Sequence, residues 1–136
     1  MKPEEFLEAI HFKDYDGYVL EGEVLTVLRK SRIIQFNIKD GTVLHVHHLD
    51  VDGETVIGLY RIPEGYILHG ELEIIMYDQD FNPKWSFAGR DIFISMTGKQ
   101  AFTLLEDRIA LYDFYDNYYE VDFNGKQLID RPNMER

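Results

Sequence analysis

Three of the chain's five histidines fall within one short stretch, LHVHHLD, at His45, His47 and His48. Two imidazoles spaced i and i+2 on a β-strand point to the same side. Neutral imidazoles sharing a face are good ligands for zinc, iron or manganese, above all when a carboxylate joins them. Glu54 follows the pair, and His69 stands further along. A metal site needs the right ligands in number and geometry. The chemical question is therefore whether His45, His47, Glu54 and His69 converge, or whether they are histidines that a strand happens to carry.

The elements that would position them read as almost entirely β. Apolar and aromatic runs alternate with Gly, Asp, Asn and Pro breaks, which is the pattern of short antiparallel strands. The spacing predicts strands over Tyr18–Leu20, Glu23–Arg29, Arg32–Lys39, Thr42–Leu49, Glu54–Arg61 and Ile67–Tyr77. It predicts others over Lys84–Phe87, Asp91–Ser95, Phe102–Leu105, Arg108–Phe114, Tyr118–Phe123 and Lys126–Ile129. Pro3–Ile10 reads as one short N-terminal helix, with Pro3 in its first turn, Glu4 and Glu5 at the positive end of the dipole, and an apolar stripe of Phe6, Leu7 and Ile10. Asp40-Gly41 and Asn124-Gly125 are dipeptides suited to two-residue hairpins, where both central residues take positive φ. The fold class expected is all-β, an antiparallel β-sandwich or small barrel with a short N-terminal helix. It is expected to form one domain over residues 1–136, without an internal repeat.

A two-residue turn at Asp40-Gly41 would pair Phe36 with His45 and Ile34 with His47. One face would then carry Ile34, Phe36, Ile38, Val43, His45 and His47. This stretch resembles the cupins locally: His45-x-His47, then Glu54, then Pro63-Glu64-Gly65 and His69. The resemblance implies a divalent metal held from barrel strands by the H-x-H pair, the glutamate and the later histidine. Six residues separate His47 from Glu54 and three separate Gly65 from His69, both longer than the family's pattern. In a single strand over Ile67–Tyr77, His69 would share a polar, solvent-facing side with Glu71 and Glu73. The expectation is therefore that no metal or other cofactor is bound.

Composition narrows the function classes. The 136 residues hold 25 acidic and 14 basic side chains, a formal net charge of −11. Such a surface repels phosphate backbones and attracts basic partners, so no nucleic-acid partner is expected. With no cysteine, there are no disulfides and no thiol chemistry. No apolar run approaches the ~20 residues of a membrane helix, and MKPEEFLEAIHF lacks the apolar centre of a signal peptide. A cytoplasmic location with no membrane partner is expected. The stretches Asp14-Tyr-Asp16-Gly17 and Asp50-Val-Asp52-Gly53-Glu54 have the start of a calcium loop without its full ligand order, and read as turns.

The segment from Tyr112 to Asp122, YDFYDNYYEVD, combines tyrosines with carboxylates. Tyrosine offers contact area at small rotamer cost, and the acids offer charge to a basic partner. The partner-binding candidates are Tyr112, Asp113, Tyr115, Asp116, Tyr118 and Glu120. Trp85, in KWSFAGRDIF, reads as core, and Arg90-Asp91 as a surface ion pair. The run YDQDFNPKWSFAGRDIF, with DNYYEVDFNGK beyond it, is similar to stretches of small bacterial β-rich proteins with no established activity. That resemblance implies a compact β domain and no site residue. No nucleophile elbow, phosphate loop or dinucleotide fingerprint is present, so no catalytic residue is assigned and an enzyme is not favoured. The leading expectation is a non-catalytic acidic binding protein, in its specific form an immunity-type inhibitor of a basic toxin domain. The alternatives are a cupin-like metal-binding barrel or enzyme using His45 and His47, and a carbohydrate-binding β-sandwich.

Overall fold

The computed structural model describes residues 18–29, 31–49 and 56–134. The expected helix Pro3–Ile10, both D-x-D-G stretches and Glu54 lie outside these residues. Among the described residues, twelve strands form three four-stranded antiparallel sheets. The first holds β1 (Tyr18–Glu21), β2 (Val24–Arg29), β3 (Arg32–Asn37) and β4 (Val43–His48). The second holds β5 (Val56–Ile62), β6 (Gly65–Gly70), β7 (Ile74–Asp78) and β8 (Pro83–Phe87). The third holds β9 (Phe102–Leu104), β10 (Arg108–Tyr112), β11 (Tyr118–Asp122) and β12 (Gln127–Arg131). Each sheet is a meander in sequence order.

The all-β antiparallel class is as the sequence implied, but the grouping is neither a two-sheet sandwich nor a closed barrel. Four-strand meanders are separate units, and they bury their apolar faces by stacking. One cluster joins the first sheet to the second through Leu28, Ile33, Leu59, Leu68, Ile75 and Phe81. Another joins the second to the third through Ile67, Ile74, Phe93, Ile109, Leu111 and Tyr119. The leading strands gather: Glu21 on β1 bonds Arg61 on β5 at 3.1 Å, and Tyr60 on β5 stacks on Phe102 of β9 at 4.3 Å.

Two strand assignments change. Ile67–Tyr77 is not one strand but β6 and β7, which fold back on each other so that Leu68 faces Ile75. Asp91–Ser95 is irregular; Phe93 there is wholly buried as a plug between the second and third sheets. Arg90 pairs not with Asp91 but with Asp130, through two bonds of 2.6 and 2.7 Å.

The turns reveal a repeat that the sequence reading missed. Asp78 and Asp122 end strands and Asp113 directly follows one, and each carboxylate accepts two backbone N–H groups across a three-residue loop. The third loop residue is left-handed each time: Phe81 (φ 62°), Asp116 (φ 61°) and Gly125 (φ 85°). Asn124-Gly125 therefore closes a three-residue loop, 123–125. Asp40-Gly41 ends a longer loop, where Asn37 N–H reaches Thr42 O and only Gly41 has positive φ. The two-residue hairpin expected at each site is replaced because an Asp or Asn side chain organises the turn instead.

Gly125 abuts Trp85, which is half-buried and donates its indole N–H to Phe123 O at 2.9 Å. A Cβ at Gly125 would lie 2.7 Å from the indole ring. Gly125→Ala is expected to lower stability by about 2–3 kcal/mol, combining left-handed strain with the displaced ring. Denaturant unfolding in a Trp85→Ala background should show a smaller loss, because the clash is gone.

Candidate functional site

The described members of the metal set, His45, His47 and His69, do not meet, and Glu54 lies outside the described residues. β3 and β4 slip by a bulge between Gln35 and Phe36, so Ile33 faces His47 and Gln35 faces His45. The pairing expected from a two-residue turn is displaced by one residue. His45 and His47 still share a face, with ring centres 5.9 Å apart, and that face turns toward the second sheet, where His47 packs on Phe81 at 4.8 Å. Burial, then the neighbouring His45, holds the His47 imidazole below its ordinary range, and Asp80 opposes them.

His69 is not solvent-facing. It is buried in β6, stacks on Phe102 at 5.1 Å, and its Nε2–H donates to Phe93 O at 2.9 Å. The sequence reading put it on a polar face because β6 and β7 were joined into one strand. It is the third sheet and the Phe93 plug that cover it. Among the described residues, no group of three or more His, Asp or Glu could hold a metal.

The tyrosine hairpin divides into a buried half and an open half. Asp113, expected at the surface, is 0% exposed. Its carboxylate accepts from Tyr115 N, Asn117 N, Asn117 Nδ2 and the Tyr119 hydroxyl, the last at 2.8 Å. Tyr119 Oη in turn accepts the Arg90 N–H at 2.8 Å. Asn117 Oδ1 accepts the Asn133 N–H, and Asn133 Nδ2 donates to Tyr115 O, tying down the residues after β12. Asp113 and Asn117 are thus internal braces. The sequence missed Tyr119 and Asn117 as their partners; the Asp recurring at the start of the turns after β7 and β10 was the available signal.

The open half is the Tyr112–Tyr118 pair. The two residues face each other across β10 and β11, with ring centres 4.9 Å apart. Lys99 Nζ lies 5.2 Å from the Tyr112 ring centre and the Arg131 guanidinium 5.1 Å from that of Tyr118. With Asp116, Pro132, Asn133 and Met134 they line a hollow of about 430 Å3. Asp116 accepts the Thr97 hydroxyl at 2.8 Å. Glu120 accepts the Tyr118 hydroxyl at 2.6 Å and Arg108 Nη1 at 2.9 Å. Burial and the Glu120 carboxylate push the Tyr118 phenol up to about 12, so it stays a neutral donor. The same phenol and Arg108 hold Glu120 below the usual range. Tyr115 is exposed and meets Phe114 edge-on.

Further carboxylates gather elsewhere. At the other end of the third sheet, Glu64, Glu106, Asp107 and Asp122 line a second hollow of about 450 Å3 with Arg108. The register Tyr112–Tyr118, Ala110–Glu120, Arg108–Asp122 runs from one hollow to the other along the outward face of β10 and β11.

No protein-family model matches the chain, and no curated protein matches it in sequence. Solved structures do resemble it. BamB from Moraxella catarrhalis matches with a TM-score of 0.60 at 16% identity, over 85% of this chain and 36% of BamB. The computationally designed Ika8 protein gives 0.56 at 13%, over 85% of this chain and 35% of that one. The Neurospora crassa Pan2 WD40 domain gives 0.56 at 17%, over 88% and 38%. At these identities the likeness is one of fold. WD40 domains are propellers of four-stranded blades, so the three sheets are arranged as consecutive blades. The chain spans little more than a third of the length of these structures.

Two outcomes follow for the buried polar groups. Asp113→Ala should cost on the order of 3–5 kcal/mol, since it orphans several buried donors, whereas Tyr119→Phe should cost about 1–2 kcal/mol; urea unfolding separates them. Burial, opposed by the bond to Phe93, holds His69 below its ordinary 6.5. The unfolded chain therefore binds that proton first. The stabilisation is complete above pH 6.5 and falls away as pH drops below it. His69→Phe, which keeps the stack on Phe102, should flatten the stability–pH curve below 6.5 relative to the native chain.

Proposed function

We propose that the chain is a non-catalytic binding module whose contact surface is the outward face of the third sheet. The observation that carries this reading is the Tyr112–Tyr118 pair, open in its hollow, with both flanking carboxylates, Asp116 and Glu120, already bonded within the chain. Rings held this way offer contact area at little entropic cost on binding. The propeller-like arrangement suits such a role, since its sheets present rigid faces and turn ends; fold alone does not establish it.

The partner's charge follows from the whole chain. A net charge of −11 favours a basic protein, and the specific form we put forward is an immunity-type inhibitor of a basic toxin domain. The charged contact in that case lies at the end holding Glu64, Glu106, Asp107 and Asp122, not at Asp113. Lys99 and Arg131 beside the tyrosines make the hairpin end locally less acidic.

Capture of a partner from the native host's lysate at low salt gives the material for the test. Tyr118→Ala should then mainly raise the dissociation rate. Glu106→Lys with Asp107→Lys should mainly lower the association rate and weaken its salt dependence. If a partner binds and neither change alters its kinetics, this face is not the contact.

A further inference from the structure

The first sheet carries an interaction surface that the reading above does not use. Among the described residues, with β1, β5 and β9 gathered, the three meanders leave β4, β8 and β12 as outer edges. An outer edge is a row of unpaired backbone groups, and proteins normally guard it with proline or charge. β8 is guarded by Pro83 and Lys84, and β12 by Asp130 and Arg131. β4 reads VLHVHH and has neither. Its apolar side chains are open to solvent: Val43 is 56% exposed, Leu44 43% and Val46 47%.

Those side chains continue a core. Val43 lies opposite Phe36 and Val46 opposite Ile34 across β3. Phe36 and Ile34 belong to the cluster of Leu25 and Val27, on the face of the first sheet turned away from the second. The apolar face therefore runs from the buried middle of the sheet to an uncapped edge.

We propose that β4 pairs antiparallel with β4 of a second copy of this chain across a two-fold axis, joining two first sheets into one continuous sheet. A second copy fits for two reasons. Most of the surface of a chain of charge −11 repels its own copy, but β4 holds no carboxylate, so here identical strands meet without acid facing acid. Two-fold pairing also brings the two Phe36–Ile34–Val46 faces side by side, so each extends the other. A partner chosen for its charge gains nothing at an edge that offers none.

Light scattering on the purified chain at neutral pH should show the mass moving from 16.1 kDa toward twice that value as concentration rises. Added salt should favour the dimer by screening the repulsion between two acidic copies. Val46→Lys, at an exposed position, should shift the equilibrium about tenfold or more toward monomer, with circular dichroism unchanged. Gln127→Lys, on the outer strand of the third sheet, should leave the mass unaffected. Amide exchange over residues 43–48 should slow as concentration rises. A chain that stays monomeric at every concentration overturns the proposal. So does a dimer that survives Val46→Lys, or one that responds to Gln127→Lys instead.

Discussion

The middle sheet is packed on both faces, and the rest of the molecule follows from that. Every residue of β6, from Gly65 to Gly70, is buried. A strand in that position has no solvent to satisfy its polar atoms, so each one it carries must find an internal partner. Tyr66 reaches Glu21 of the first sheet at 3.2 Å, and His69 reaches Phe93 before the third at 2.9 Å. Two side chains of one strand thus bond the sheets on either side of it. Hydrophobic stacking holds the blades together, and these directional bonds fix how they sit. Among the described residues no buried side-chain nitrogen or oxygen lacks a partner.

How much of this could be read from the sequence divides along the range of the forces involved. Strand positions depend on local alternation, and most were legible to within a residue or two. The joining of β6 and β7 shows the limit: Glu71-Leu72-Glu73 continues the alternation through a turn, so the pattern alone cannot see the chain reverse. His69 was assigned to solvent for that reason only. The grouping into three meanders was harder, since apolar faces look alike whether a sheet packs against one neighbour or two. Yet a local sign of repetition was present. Tyr77-Asp78 and Tyr112-Asp113 each precede a three-residue loop followed by Asn82 or Asn117, and Val121-Asp122 precedes one followed by Lys126. The intervening residues differ in type, because the turn needs an acceptor at its start and tolerance of positive φ at its third loop position, and little else.

The same division explains the candidate site. Composition singled out the right hairpin, since a dense run of tyrosine and acid is unusual on any fold. It could not say which members point outward. Alternation puts Tyr112, Tyr118 and Glu120 on one face, and the structure agrees. Asp113 keeps the parity of Ile109 and Leu111, which face the core, but it lies just beyond the strand. It has become the first residue of a turn, and its side chain folds inward over its own backbone. An aspartate there is worth more to the chain as an acceptor for buried donors than as a surface charge.

Net charge and local charge also need separating. A value of −11 suggests an acidic surface everywhere, but several arginines are spent neutralising particular carboxylates. Arg61 holds Glu21, Arg90 holds Asp130, and Arg108 holds both Asp107 and Glu120. What remains is uneven: acid at the turn end around Glu64 and Glu106, tyrosine with Lys99 and Arg131 at the hairpin, and no carboxylate at all along β4. A surface so divided can meet different neighbours in different places. Long-range attraction of a basic protein acts through the total charge and fades with salt, while the short-range fit of rings or strand edges does not depend on it. The acidic hollow and the tyrosine pair sit at opposite ends of the third sheet and the bare edge of β4 on the first, so any one could change by mutation without disturbing the others.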